Sequence, residues 1–183
     1  MNNVTIAVIG GSGLYDLDGL ENVTEHQVDT PYGAPSDSIV EGQLGDARLL
    51  FLARHGRGHR LLPSEVNYRA NIFALKKLGA HRVISVSAVG SMRVEIHPGH
   101  IVVVDQYLDR TKGRPATFFG DVIVGHVVFA DPTCADLGAT LYDAAAGLGL
   151  TVHCGGTLMV MEGPAFSTRA ESHMHRSLGV DLI

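Results

Sequence analysis

Apolar positions along this chain follow two rhythms. Compact apolar runs bounded by glycine, proline or serine occur at residues 4–9, 49–53, 82–86 and 101–105, and these predict buried strands. Residues 151–154 and 157–161 predict strands on either side of Gly155-Gly156, and residues 23–28 and 39–43 predict shorter, partly exposed ones. Between the last two, Asp29-Thr30-Pro31-Tyr32-Gly33-Ala34-Pro35-Ser36 is turn-rich. The second rhythm is helical. Val66, Ala70, Phe73, Ala74 and Leu78 keep helical spacing over 65–78, and Gly79 stops the run. Asn67, Arg69 and Asn71 are expected to face solvent there, with Asn67 and Asn71 sharing a face that could line a cleft. A helix is predicted from Thr133, as its cap, to about residue 148. Another is predicted over 169–178, capped by Ser167 or Thr168 with Glu171 in its first turn. Residues 107–126 read as irregular. They carry Tyr107, Arg110, Arg114, Phe118, Phe119 and His126, a mixture typical of active-site or subunit-contact loops.

Strands alternating with helices predict an α/β fold: one domain over 1–183, with a mixed, mostly parallel central sheet flanked by helices. Val180-Asp181-Leu182-Ile183 reads as the opening of a further buried strand, so the C-terminal part of the domain is expected to be missing. With 183 residues, 45% of them apolar and 18% charged, the chain can bury one sizeable core. A net charge of -5 argues against general nucleic-acid binding. No signal peptide or membrane-spanning run is visible, and no membrane partner is expected. Cys134 and Cys154 lack metal-ligand spacing and predict buried thiols in a cytoplasmic protein.

The negative total makes one basic stretch conspicuous. Arg54-His55-Gly56-Arg57-Gly58-His59-Arg60 places three arginines and two histidines directly after an apolar strand. Arginine forks match phosphate or carboxylate oxygens, and glycines let the backbone turn around them. Two other strands end similarly, in Gly10-Gly11-Ser12-Gly13 and Ser87-Ala88-Val89-Gly90-Ser91. Ligands gather at the carboxyl ends of strands in open α/β sheets. Three such ends predict one anion pocket, formed by Ser12, Arg54-His55 and Ser87. Asp16 breaks a dinucleotide fingerprint, and Leu14 breaks a nucleophile elbow. The surrounding arginines disfavour a cation at His55 and His59, and His173 and His175 point to different helix faces, so no metal is expected.

Taken together, Gly10-Gly11-Ser12-Gly13-Leu14, Asp29-Thr30-Pro31-Tyr32-Gly33, Ala53-Arg54-His55-Gly56, Asn67-Tyr68-Arg69-Ala70-Asn71, Ala88-Val89-Gly90-Ser91, Asp109-Arg110-Thr111 and the stretch from Glu162-Gly163-Pro164-Ala165-Phe166-Ser167-Thr168 to Glu171 resemble the trimeric purine nucleoside phosphorylases. Within that family they are most similar to the methylthioadenosine and methylthioinosine phosphorylase branch. The resemblance implies a nucleoside phosphorylase-like fold and phosphate held by Ser12, Arg54, His55, Ser87 and Ala88. It implies that Phe166 stacks on the purine, that Ser167 bears on substrate preference, and that His126 reaches across a subunit boundary toward the ribose 5′ substituent. The chain departs from the family at Ser12 and Val86, where threonine is common, and at Ala165, where a longer polar side chain is common. Members also continue past the position of Ile183, through residues that face the ribose and purine, and no catalytic acid is identified within this chain.

The reaction so implied is phosphorolysis of S-methyl-5′-thioadenosine to adenine and 5-methylthioribose 1-phosphate. Phosphate is a co-substrate, and no cofactor is needed. S-methyl-5′-thioinosine and 6-oxopurine nucleosides such as inosine or guanosine are alternative substrates, and a homotrimer or hexamer is the expected assembly. A nonenzymatic nucleotide- or anion-binding domain is the alternative from another class. Residues 1–183 alone are expected to be inactive.

Overall fold

The computed structural model describes residues 4–11, 19–120 and 122–183. The chain forms two compact units, residues 1–88 with 114–118, and residues 89–113 with 119–183. They are called unit 1 and unit 2.

Unit 1 is built on a five-stranded mixed sheet. Its strands are β1 (Thr5–Gly10), β2 (Glu21–His26), β3 (Ile39–Leu44), β4 (Ala47–Ala53) and β5 (Arg82–Ser85), in the order β2-β3-β4-β1-β5. β1 runs parallel to both β4 and β5, whereas β3 is antiparallel to β2 and β4. Register pairs Gly10 with Ala53 and Ile9 with Ser85, so three parallel strands end at one edge. Ala7, Ile39, Leu50, Ala74 and Leu75 are fully buried, and Leu52 nearly so. The predicted strand at 23–28 begins and ends two residues earlier, and Val28 leaves the ladder to pack against the core. Among the described residues β5 pairs with β1 alone, and Val83 is exposed, so β5 lies at the edge of this sheet rather than buried as expected.

The helix predicted over 65–78 is shorter, α1 (Tyr68–Lys77), because Pro63–Glu65 forms a separate 3-10 turn. Asn67 is its cap, accepting from the Ala70 amide at 3.1 Å, and its own amide group donates to the Tyr32 carbonyl at 2.6 Å. Asn71 does not face solvent. It is buried, accepting from the Ser36 amide at 2.8 Å and donating to the Ser36 hydroxyl at 2.9 Å. Residues 114–118 complete this unit. The Phe118 ring meets Tyr32 edge-on, Tyr32 meets Phe73, and the Arg114 guanidinium lies over the Tyr68 ring.

Unit 2 holds two parallel ladders among the described residues. β6 (Ile101–Val103) pairs with β8 (Val152–Cys154), and β7 (Gln106–Arg110) pairs with β9 (Thr157–Met161). Residues 107–110 of β7 fall in the segment expected to be irregular. They are a strand whose side chains are all exposed, so backbone pairing rather than an apolar face defines it. α2 (Ala135–Gly147) begins after Cys134, and no side chain caps it, which displaces Thr133 from that role. α3 (Arg169–Ser177) has the expected start: Thr168 accepts from the Glu171 amide while the Glu171 carboxylate accepts from the Thr168 amide. The closing residues 180–183 form bridges rather than a strand. Leu182 pairs with Ser91 and Leu158, yet Val180 and Leu182 are buried as predicted. Both cysteines are free and exposed, contrary to expectation, because Cys134 precedes a helix without buried residues and Cys154 ends the short β8. No described helix is long and apolar enough to cross a membrane.

Candidate functional site

Of the predicted phosphate residues, Arg54, His55, Ser87 and Ala88 are described and belong to unit 1, where they follow the ends of parallel strands. The amide of Arg54 continues the ladder to the Gly10 carbonyl at 3.0 Å, and the amide of Val86 does the same to Ile9 at 2.9 Å. This register holds the first residue after β4 beside the loop that follows β5. Arg54 then reaches across that edge. Its Nη1 donates to the Ser87 hydroxyl at 2.6 Å and to the Val86 carbonyl at 3.4 Å. Two of the predicted residues, far apart in sequence, are therefore in direct contact. Ala88 lies one residue further along the same exposed loop. Ser12 lies outside the described residues.

The other cations of the basic stretch are committed to the loop itself. The Arg57 amide donates to Asp37 at 2.6 Å, and its guanidinium meets Glu25 at 2.7 Å. Arg60 donates to the Ser36 carbonyl at 2.6 Å. Gly56 has a φ of 70°, and a Cβ there would meet the Arg60 guanidinium at 2.8 Å and the Ser36 carbonyl at 3.1 Å, so the turn requires glycine. Arg54 is left as the cation of this stretch directed at the strand edge.

His55 is 7% exposed. Its Nδ1 lies 2.9 Å from the Leu61 carbonyl, and its Nε2 accepts from Arg54 Nε at 3.3 Å. Burial first, and then the charges of Arg54 and His59, hold its proton affinity below the usual imidazole range, although the Leu61 carbonyl opposes this. The imidazole is thus neutral near pH 7.

The predicted nucleoside residues belong to unit 2 and also follow a parallel pair. Arg110 and Met161 are paired residues at the ends of β7 and β9. Glu162, the next residue, accepts from the Lys112 amide and from the Gly113 amide, the latter at 2.9 Å. The Asp109 carboxylate accepts from the Thr111 amide at 2.8 Å. Together these bonds order the loop after β7. Past Glu162 the chain presents Phe166, which is 95% exposed, and Ser167, whose hydroxyl donates to Met161 Sδ at 2.9 Å. A bare aromatic face beside an anchored hydroxyl can receive a flat, polar-edged ring. His126 belongs to the same unit, inside a run in which Val122, Ile123, Val124, Val127, Val128 and Phe129 are all at least 66% exposed. Among the described residues, no hydrogen bond links His126 with Phe166 or Ser167.

Sequence reasoning missed three contributors. Glu162 enters the sequence reading only as part of a motif, Asn71 is not connected there with Ser36, and the stacking of His59 on His55 is not foreseen. A carboxylate directly after a strand that precedes a proline turn is a signal for the first. The other two depend on contacts between separated turns.

The model of the phosphorylase superfamily matches residues 5–183. S-methyl-5′-thioadenosine phosphorylase of Geobacter sulfurreducens is 64% identical, over 97% of this chain and 63% of its own length. The enzyme of that name from Synechocystis is 54% identical, over 100% of this chain and 57% of its own length. The chain thus spans about three fifths of these curated relatives. Among solved structures, a methylthioadenosine phosphorylase sourced from an Antarctic soil metagenomic library superimposes with a TM-score of 0.95 at 49% identity, covering 100% of this chain and 65% of that one. The methylthioadenosine phosphorylase of Schistosoma mansoni in its apo form gives 0.93 at 39% identity, covering 98% and 71%. A family model that spans both units, relatives identical at more than half of their aligned positions, and a shared fold lead to one conclusion: this chain belongs to the phosphorylase superfamily.

Proposed function

We propose that the protein cleaves S-methyl-5′-thioadenosine with inorganic phosphate, releasing adenine and 5-methylthioribose 1-phosphate. The observation that carries this reading is the Arg54–Ser87 contact at the shared end of β4, β1 and β5, a cation and a hydroxyl directed at one edge. The methylthioadenosine phosphorylases among its relatives support the choice of substrate. Arg54, His55 and the hydroxyls of Ser87 and Ser12, with the Ala88 amide, hold the phosphate. Phosphate is the nucleophile and attacks C1′, so the protein supplies no covalent one. Fixing two reactants in line contributes about 7 kcal/mol or more. The held anion also stabilises the positive charge that develops on the sugar as the glycosidic bond breaks. Phe166 stacks on the purine, and Ser167 lies beside it to help select the base.

His126 acts from a neighbouring subunit of a homotrimer or hexamer, toward the ribose 5′ substituent. The exposed apolar run around it supports that assignment, since such a surface marks an interaction site. The enzyme works in the cytoplasm and needs no cofactor beyond its co-substrate. The test is phosphate-dependent release of base by the full-length protein from methylthioadenosine, methylthioinosine and inosine. Methylthioadenosine is expected to give the highest kcat/KM. A preference for inosine overturns the substrate, and no phosphate-dependent release from any of the three overturns the reaction.

A further inference from the structure

His55 faces two partners that define its protonation. The Leu61 carbonyl can only accept, so the proton of the neutral ring is on Nδ1 and is spent there, at 2.9 Å. The other nitrogen accepts from Arg54 Nε, at 3.3 Å, so it presents a lone pair to the edge of the guanidinium. His59, held at a φ of 54°, lays its ring over His55 with centroids 4.4 Å apart and planes 21° from parallel. The charged and titratable groups that bear on His55 are Arg54 and His59, and the carboxylate of this loop, Asp37, is engaged by the Arg57 amide and lies 3.9 Å from Arg60. The ligand-free site therefore has an imidazole that cannot donate a hydrogen bond toward Arg54.

An anion oxygen that engages this edge of Arg54 meets that lone pair. Two acceptors in contact repel unless a proton lies between them. We propose that phosphate binds this site together with one proton from solvent, shared between His55 Nε2 and a phosphate oxygen. This rests on the reading of Arg54 and His55 as phosphate ligands. The bound pair is equally described as dianion with imidazolium or monoanion with neutral imidazole. In both descriptions one proton is gained relative to free dianion and neutral ring. His55 thus couples phosphate capture to pH, and its stack on His59 keeps the ring aligned in either state.

The experiment is calorimetric titration of the full-length protein with inorganic phosphate at about pH 8, in two buffers of different ionisation enthalpy. Uptake of about one proton per phosphate is expected, with affinity falling up to about tenfold per pH unit above that pH, as linkage requires. His55→Gln, whose amide donates without titrating, is expected to bind phosphate with uptake near zero. Phosphate binding by the wild type without uptake overturns the proposal and leaves the phosphate site standing. Uptake that persists in His55→Gln overturns His55 as its seat. If that variant does not fold, the ¹⁵N resonance of His55 Nε2 in the wild type decides. It must move to the protonated range on adding phosphate, and a stationary signal refutes the proposal. Absence of phosphate binding, or phosphate affinity unchanged in Arg54→Ala, instead refutes the underlying site.

Discussion

In unit 1 Leu50 and Leu52 of β4 share one core with Ala74 and Leu75 of α1, and Leu50, Ala74 and Leu75 are fully buried. In unit 2 every side chain of β7 is exposed and α2 buries none of its residues. Both units end parallel strands in polar loops, but they hold those loops differently. Unit 1 fixes the backbone of Arg54 through a ladder whose strands pack on a buried apolar core. Unit 2 fixes its loops with backbone pairing and with carboxylates that accept amides, Glu162 after β9 and Asp109 at the end of β7. Its buried apolar residues, Met159, Val180 and Leu182, are few. Unit 1 thus carries its own support, whereas unit 2 leaves apolar side chains exposed over 122–129.

The strongest way to break this contrast is to cut each unit at its apolar side chains. Leu50→Ala is expected to destabilise unit 1 by about 2–5 kcal/mol, the cost of a cavity in a closed core. Phe129→Ser removes a ring that is 69% exposed, and such surface changes lie within about 0.5 kcal/mol. Urea unfolding of the two variants measures this. Sedimentation should also show a smaller oligomer for Phe129→Ser. Equal destabilisation by both would show that unit 2 has a core of the same kind.

A smaller effect separates the two units by the ligand proposed for each. Arg54→Ala is expected to weaken phosphate on the order of 10–100-fold, matching the loss of charge-assisted hydrogen bonds of about 1.5–3 kcal/mol. The KM for the nucleoside should change little. Phe166→Ala should do the reverse, raising the nucleoside KM by roughly tenfold, since stacking a base on an aromatic ring contributes about 1–3 kcal/mol. Steady-state kinetics with each substrate varied in turn distinguishes the two. A variant that shifts both constants alike shows that its residue does not serve one ligand alone.

The same contrast explains what was legible in the sequence. β1 and β4 were readable because apolar runs end abruptly in Gly10-Gly11 or Arg54-His55, and the contact between Arg54 and Ser87 follows from parallel neighbours ending together. β7 was not, because Gln106-Tyr107-Leu108-Asp109-Arg110 has no buried face and owes its form to β9 alone. The burial of Asn71 depends on Ser36, 35 residues earlier, and neither residue signals the other. The thiols of Cys134 and Cys154 are expected inside because they lack metal-ligand spacing, but a free thiol is buried only where a core exists to take it. His55 was found as a candidate ligand, but its protonation is set by the carbonyl of Leu61, which no residue pattern encodes.

The smallest expected effect probes how unit 2 holds together without a deep core. His100 Nδ1 accepts from the His97 amide at 3.2 Å and from His153 Nε2 at 2.9 Å, so it ties the turn before β6 to β8 only while unprotonated there. Desolvation first, then the neighbouring His153 and His97, lower its pKa below the ordinary imidazole value. The unfolded chain therefore binds the proton more readily than the folded one. The contribution of His100 is complete above about pH 6.5, the unfolded imidazole value, and is lost as pH falls through the lower folded value. Amide exchange at Val152–Cys154 should accordingly be better protected at about pH 7.5 than at about pH 5.5, after correction for intrinsic rates. His100→Asn removes the titrating group and should flatten that difference. If the variant keeps the full pH dependence, the three-imidazole cluster is not what joins the turn to β8, and the support must come from the Val102–His153 ladder alone.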